Sequence, residues 1–155
     1  MENKTQLQND IFAYVFKLSN TLQVYLDRSL IDDGLTSKQM FLMMVIDSFG
    51  EANPTFKEAA QRSGSSYQNI KQIALKLEKK DYVAINSDPE DKRAKRLCLT
   101  DKAKAYWKNR DQSDVDGMDK LFKRFEQNEL EKFFDYMNRF LNGIEELSAE
   151  MEGEK

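Results

Sequence analysis

The order of apolar and polar positions predicts a mainly helical chain. Between residues 7 and 30, apolar side chains recur at steps of three and four, which places them on one face of a helix. The polar segment 32–34 then ends this helix. A second helix is predicted over LTSKQMFLMMVIDSF, where Thr36 is the N-cap and Gln39, three residues on, completes a capping box.

Two short helices joined by a glycine turn are predicted next. The first covers residues 55–63 with Thr55 as its cap, and Gly64 ends it. The second covers SYQNIKQIALKLEKK and is capped by Ser65 or Ser66. Its spacing predicts an apolar inner face and a polar outer face. The inner face comprises Ile70, Ile73, Ala74 and Leu77, and the outer face Tyr67, Gln68, Asn69, Lys71, Gln72 and Lys76.

A charged loop between two short apolar runs completes this pattern. YVAIN and RLCL read as strands, and SDPEDKRAK lies between them. Helix, turn, helix and hairpin together predict a winged helix-turn-helix, so the fold class is mainly α with a small β-hairpin. Thr100 can cap a fifth helix, which runs through Tyr106 and Trp107 toward Gly117, where a kink or break is expected.

The last predicted helix needs a partner surface. Apolar residues stand seven apart at positions 130, 137, 144 and 151 and again at 133, 140 and 147. With the stripe at 7–30, this predicts three regions: an N-terminal dimerisation helix (1–34), a winged helix-turn-helix lobe (35–100) and C-terminal dimerisation helices (101–155). The predicted dimerisation residues are Leu7, Ile11, Tyr14, Leu130, Phe133, Met137, Phe140, Leu141 and Ile144.

Charge is distributed unevenly along this acidic chain. The 155 residues carry a formal net charge of −3. Residues 55–104 hold 12 Lys and Arg against 7 Asp and Glu, a balance of +5, whereas the remaining residues have a balance of −8. Binding to phosphates depends on the local patch rather than on the total. The asymmetry therefore indicates one basic face on an acidic body.

Several other functions lack the residues they need. The chain has no His and one cysteine, Cys98, so a His-bearing metal site, a catalytic triad and a thiolate cluster are excluded, and no Gly-rich phosphate loop is present. We therefore expect no enzyme activity, no metal and no cofactor. No signal peptide or membrane span is predicted, so a cytoplasmic location is expected. Cys98 alternates with Leu97 and Leu99, which favours a small packing residue over a redox sensor.

At this point the chain resembles the MarR family of bacterial transcriptional regulators over nearly its whole length. DPEDKRAKRLCLT resembles the family's wing signature, GLTSKQ the start of its second helix, and LEKKDYV the end of its recognition helix. Two positions depart from the family pattern: Asp81 stands where Gly is usual, and EAA at 58–60 replaces Glu-Leu-Ala. The resemblance implies a winged-helix homodimer that binds double-stranded DNA, often as a repressor.

The residue chemistry suits that role. Gln68, Asn69 and Gln72 carry amides that can pair with base edges in the major groove. A wing arginine, Arg93, could enter the minor groove while Asp91 holds its guanidinium. The opposing interpretation is an ordinary polar helix face and a hairpin kept soluble by mixed charges. The predicted DNA-binding residues are Ser65, Ser66, Tyr67, Gln68, Asn69, Lys71, Gln72, Lys76, Asp91, Lys92, Arg93, Lys95 and Arg96, of which Lys92, Lys95 and Arg96 would contact phosphates.

The resemblance also implies a small aromatic effector, which many regulators of the family bind between the dimer helices and the DNA-binding lobe. Residues that could line such a place are Tyr25, Phe41, Met43, Met44, Phe49, Tyr106 and Trp107, although core packing explains any one of them. The alternative function is a winged-helix module that binds a protein partner without operator-specific DNA binding. An enzyme is a more distant alternative.

Overall fold

The computed structural model describes residues 2–153, without the side chains of residues 2, 111 and 152. Most of this chain is helical, with one antiparallel hairpin. The helices are α1 (Glu2–Ser29), α2 (Ser37–Asp47), α3 (Phe56–Ser63), α4 (Tyr67–Lys79), α5 (Asp101–Phe122) and α6 (Gln127–Gly153), and the strands are β1 (Val83–Ser87) and β2 (Lys95–Leu99). A 3-10 turn at Gly50–Ala52 separates α2 from α3. The predicted fold class is confirmed.

The helix boundaries follow the predicted caps. At the start of α2, the Thr36 hydroxyl accepts a hydrogen bond from Gln39 N (3.3 Å) and Thr36 N donates to Gln39 Oε1 (3.2 Å). Thr55 caps α3 in the same reciprocal way, with Glu58 as its partner. Gly64 ends α3 with a φ of 62°, a left-handed conformation that costs glycine little. These caps satisfy backbone groups that would otherwise lack a partner.

The chain divides into two compact units, of which the first runs to Lys108. The core of this first unit lies between α2, α3, α4 and the hairpin. Its fully buried side chains, which include Leu42 and Ile46 of α2 and Leu77 of α4, come from every element around it. Leu30, which follows α1, is also fully buried, whereas most of α1 is exposed. Burial of this kind fixes the orientation of α4, since Ile70, Ala74 and Leu77 must all face inward.

The hairpin joins this core through its register. Val83 pairs with Leu99 and Ile85 with Leu97, so these four apolar residues share one face. The β2 strand also contacts the segment before α3, because Leu97 N donates to Pro54 O (2.8 Å). The hairpin is therefore attached to the helix-turn-helix at its base.

The helix α5 is longer than expected. A kink or break was predicted at Gly117, yet α5 continues to Phe122. One glycine costs a helix only about 1 kcal/mol relative to alanine, which the other residues of this 22-residue helix can offset. Thr100 caps α5 as predicted, since its hydroxyl accepts a hydrogen bond from Ala103 N (3.3 Å).

The second unit begins at Asn109 and contains the end of α5 and all of α6. Phe125, in the turn between these helices, contacts Phe122 and Phe133 with ring centroids 6.2 and 6.0 Å apart. The predicted apolar stripe of α6 is exposed over most of its length. Among the described residues, no helix is both long and apolar enough to cross a membrane.

Candidate nucleic-acid interface

The helix α4 presents a polar face to solvent. Its inner residues are buried or half-buried, and the six residues predicted to face outward are exposed, so the predicted division of faces is confirmed. Tyr67 also packs its ring against Phe56 of α3, with centroids 5.7 Å apart. A helix fixed on one face and polar on the other can enter a major groove without disturbing its own packing.

Two serines precede α4, and the structure distinguishes their roles. Ser66 is the N-cap, since its hydroxyl accepts a hydrogen bond from Asn69 N (3.2 Å). Ser65 Oγ accepts from Asn69 Nδ2 (2.8 Å) instead. The Asn69 amide group therefore already has a partner within the protein. Gln68 and Gln72 remain exposed at the surface that would meet base edges.

The loop between β1 and β2, residues 88–94, forms the wing. Its tip residues Asp91, Lys92 and Arg93 are all exposed. Asp91 was predicted to hold the Arg93 guanidinium, but Asp91 Oδ1 accepts a hydrogen bond from the backbone N–H of Arg93 (2.9 Å). An aspartate commonly bonds the backbone two residues on, because that geometry closes a tight turn. Asp91 therefore shapes the backbone of the tip, and its contact with the Arg93 guanidinium stays a prediction.

Arg96, at the base of the wing, was predicted to contact a phosphate. In the structure, its Nε donates to Asp88 Oδ2, and its Nη1 donates to the carbonyl oxygens of Ala52 (2.9 Å) and Asn53 (2.7 Å). Only Nη2 could then reach a DNA phosphate. These contacts give Arg96 a structural role, and its phosphate contact stays a prediction. Lys95 is exposed, and its Nζ donates to Ser87 Oγ (2.8 Å).

Hydrogen bonds lower the pKa of two carboxylates near the wing. The backbone N–H groups of Asp91 and Glu90 bond Asp88 and, with the Arg96 guanidinium, lower its pKa. The backbone N–H of Thr55 lowers the pKa of Glu58 in the same way, and the positive charge of Arg96 adds to the effect. Both carboxylates are therefore ionised at neutral pH.

Cys98 lies on the face of the hairpin opposite Leu97, as the alternation predicts. It is half-buried, pairs with Ala84 across the ladder, and its Sγ accepts a contact from Asn86 Nδ2 (3.5 Å). It also lines an open depression of about 380 Å³ with Ile46 and Lys104. The packing role assigned to Cys98 stays a prediction.

The candidate effector residues are spread over different environments. Tyr106 and Trp107 are adjacent, with ring centroids 5.5 Å apart, and Tyr82 contacts Tyr106 (5.6 Å). Met43 is part of the core, Phe49 is half-buried against it, and Tyr25, Phe41 and Met44 are exposed. Effector binding stays a prediction.

Comparison with known proteins shows which sequences and folds this chain resembles. No family model matches the chain. The Bacillus subtilis (strain 168) protein YxaD, described as an uncharacterized HTH-type transcriptional regulator, is 26% identical over 137 residues, which cover 86% of this chain and 94% of YxaD. A MarR/EmrR family transcriptional regulator from Acinetobacter sp. ADP1 has a similar structure, with a TM-score of 0.80 and 18% identity over 90% of this chain and 98% of that one. The MarR family transcriptional regulator Sco3205 from Streptomyces coelicolor, in complex with DNA, gives a TM-score of 0.77 and 20% identity over 88% and 90%.

The fold is that of the MarR family. The resemblance drawn from the wing motif is thus confirmed at the level of the fold. Within this MarR fold, sequence reasoning missed the contacts of Asp88, Glu58 and Arg96. The contact of Glu58 with Thr55 could have been predicted, because Thr and Glu three residues apart are the capping-box signature. The Asp88–Arg96 pair joins residues at the two ends of the loop, and spacing alone did not indicate it.

Proposed function

We propose that the protein is a sequence-specific DNA-binding transcriptional regulator of the MarR family that acts as a homodimer. We further propose that it is a cytoplasmic repressor. One observation carries the proposal: α4 is packed on one face, polar on the other, and in contact with the hairpin whose charged tip is exposed. The Streptomyces coelicolor regulator in complex with DNA supports this use of the fold.

The outer face of α4 would read bases. The amides of Gln68 and Gln72 can each pair with an adenine edge, and Lys71 can reach a guanine or a phosphate. Ser65 and Ser66 lie at the positive end of the α4 dipole, where backbone N–H groups suit a phosphate oxygen. Asn69 contributes less to base reading than its neighbours, since its amide group already bonds Ser65.

The wing would read the shape of the flanking minor groove. A narrow A·T-rich minor groove has a strong negative potential that attracts an inserted arginine. Arg93 is exposed at the tip, with its backbone held by Asp91. Lys92 beside it would contact a phosphate. Two protomers would present two such readers, so the operator is a pseudo-palindrome with half-sites ~10 base pairs apart.

The experiment that tests this function compares Arg93→Ala with Lys92→Ala, two variants that each remove one positive charge from the tip. The probe is a labelled duplex recovered by the protein from a random-sequence pool and rebuilt with A·T or G·C flanks. Arg93→Ala should weaken binding and erase the preference for A·T flanks. Lys92→Ala should weaken binding to both duplexes alike and lower the salt slope by about one unit.

Three outcomes would count against this function. If the wild-type protein enriches no duplex, DNA reading is excluded and the protein-interaction module becomes the better explanation. If it binds every duplex equally, operator specificity is excluded. Equal losses on both flanks for Arg93→Ala would remove the minor-groove role and leave the wing as a phosphate-binding loop.

We also propose that a small aromatic effector releases the protein from DNA. Tyr82, Tyr106 and Trp107 form an aromatic cluster, and Trp107 Nε1 is buried without a hydrogen-bond partner among the described residues. A ligand with an acceptor atom could satisfy this donor. Trp107 is the single tryptophan of the chain, so its fluorescence reports binding directly.

Benzoate and phenol, tested separately, should change the Trp107 fluorescence and weaken DNA binding over the same concentration range. No change with either compound contradicts the proposal.

A further inference from the structure

Arg96 connects three parts of the first unit. Its Nε pairs with Asp88 in the wing loop, and its Nη1 donates to the carbonyl oxygens of Ala52 (2.9 Å) and Asn53 (2.7 Å), which precede α3. Nη1 also lies 3.9 Å from the carboxylate of Glu58 in α3. The rigid fork of a guanidinium can hold several acceptors in one geometry, which an ammonium group cannot do equally well.

Asp88 connects the backbone of the wing loop to Arg96. Its Oδ1 accepts hydrogen bonds from the backbone N–H groups of Glu90 (2.7 Å) and Asp91 (2.9 Å), while Oδ2 accepts from Arg96. Its own N–H donates to Ala94 O (3.0 Å) and closes the loop. The residue is only 5% exposed although it belongs to a surface loop. The wing loop is thus tied to Arg96 through one nearly buried carboxylate.

We propose that Asp88 and Arg96 are positioning residues that hold the wing tip at a set distance from α4. The chain of contacts runs from the tip backbone through Asp88 and Arg96 to the segment that leads into α3. Through this chain, the tip would keep a fixed place relative to the helix that reads bases. The inference rests on the proposed function, because positioning matters only if the wing and α4 contact the same DNA.

This role predicts a result that differs from a phosphate contact. An arginine that neutralises a phosphate contributes to binding on all sequences and to the salt slope. A positioning residue affects the wing tip that it holds near the minor groove. Its loss should therefore weaken the preference for A·T flanks over G·C flanks. Arg96→Lys separates the two, because it keeps the charge but loses the fork. Asp88→Asn is the second variant, since its amide oxygen can still accept from the loop N–H groups but its NH₂ group cannot pair with Arg96.

The experiment uses the full chain with the selected A·T-flanked and G·C-flanked duplexes at two salt concentrations. Arg96→Lys and Asp88→Asn should each bring the ratio of the two dissociation constants toward one while the salt slope stays at the wild-type value. Lys95→Gln, which removes a neighbouring charge, should lower the slope and keep the ratio. Without DNA, hydrogen exchange of residues 88–94 should be faster in Arg96→Lys than in the wild-type protein.

The following results would contradict the positioning role, the proposed function or both. If Arg96→Lys keeps the wild-type flank ratio, whether or not exchange rises, the positioning role is wrong. If Arg96→Lys binds as the wild type does and Arg96→Gln lowers the slope by about one unit, Arg96 is a phosphate contact. If the wild-type protein binds no duplex, the proposed function fails and the positioning role fails with it. A wild-type flank preference that survives in both variants removes the positioning role alone.

Discussion

At the scale of single residues, Asp88 shows how a loop carboxylate can be nearly buried and still charged. Burial alone would raise its pKa, since it disfavours the ionised form. Hydrogen bonds from the Asp91 and Glu90 backbone and from Arg96 outweigh that effect and lower the pKa below the ordinary aspartate value of 3.8. The charge is therefore part of the folded loop, and protonation must weaken it.

This pKa shift predicts an acid-sensitive contribution of Asp88 to stability. A carboxylate whose pKa is depressed on folding stabilises the protein above its unfolded pKa, and the contribution is lost as pH falls through the folded value. In urea unfolding, the stability difference between wild type and Asp88→Asn should be constant from about pH 7 to pH 5 and shrink below about pH 4. A difference that stays constant or grows toward acid contradicts this prediction.

The two serines before α4 provide a second prediction. Ser66→Ala should lower the free energy of unfolding by about 1 kcal/mol, because it removes the N-cap. The matched control is Ser65→Ala, which removes only a contact with the exposed Asn69 side chain and should cost less than about 0.5 kcal/mol. Urea denaturation measures both. Equal losses would mean that the two hydroxyls share the cap.

Residue roles in the wing could be predicted only in part. The pattern identified the exposed tip correctly, because a charged side chain without a buried partner must face water. It did not predict the backbone contact of Asp91 or the acceptors of Arg96, because charge says nothing about which acceptor a guanidinium meets. That choice depends on the carbonyl oxygens of Ala52 and Asn53, which are distant in sequence and adjacent only after folding.

At the scale of elements, local signals were sufficient for most boundaries. The caps at Thr36 and Thr55 depend on contacts within four residues, so the sequence alone predicts them. Asp81, which stands where the MarR family usually has Gly, has a φ of 61°, a left-handed conformation that Asp tolerates better than most residues. Gly117 was misread because a lone glycine lowers helix stability without setting an end. Only its neighbours decide whether the helix continues.

At the scale of the whole molecule, the apolar surface of the second unit is the main unexplained feature of the monomer. The α6 stripe includes Phe133, Met137, Phe140 and Ile144, each at least 40% exposed. A contiguous apolar patch of this kind usually marks an interface. In a two-fold dimer, one such surface on each protomer can cover the other. We propose that a second chain buries this patch; the sequence periodicity marks the stripe, and packing within a single chain leaves it exposed.

The dimer prediction follows from that surface and can be tested apart from DNA. The wild-type protein should sediment at micromolar concentration with twice the chain mass of 18.1 kDa. Phe140→Glu should shift it toward the single-chain mass, because an unpaired carboxylate would be buried in the interface. Asn138→Glu adds the same charge to α6 outside the apolar stripe and should remain dimeric.

A wild-type species of single-chain mass would reject the dimer and, with it, the two-fold operator. A dimer that resists Phe140→Glu would place the interface elsewhere. If the prediction holds, Phe140→Glu should bind a full pseudo-palindrome no more tightly than one half-site, since α4 and its wing remain folded but act singly.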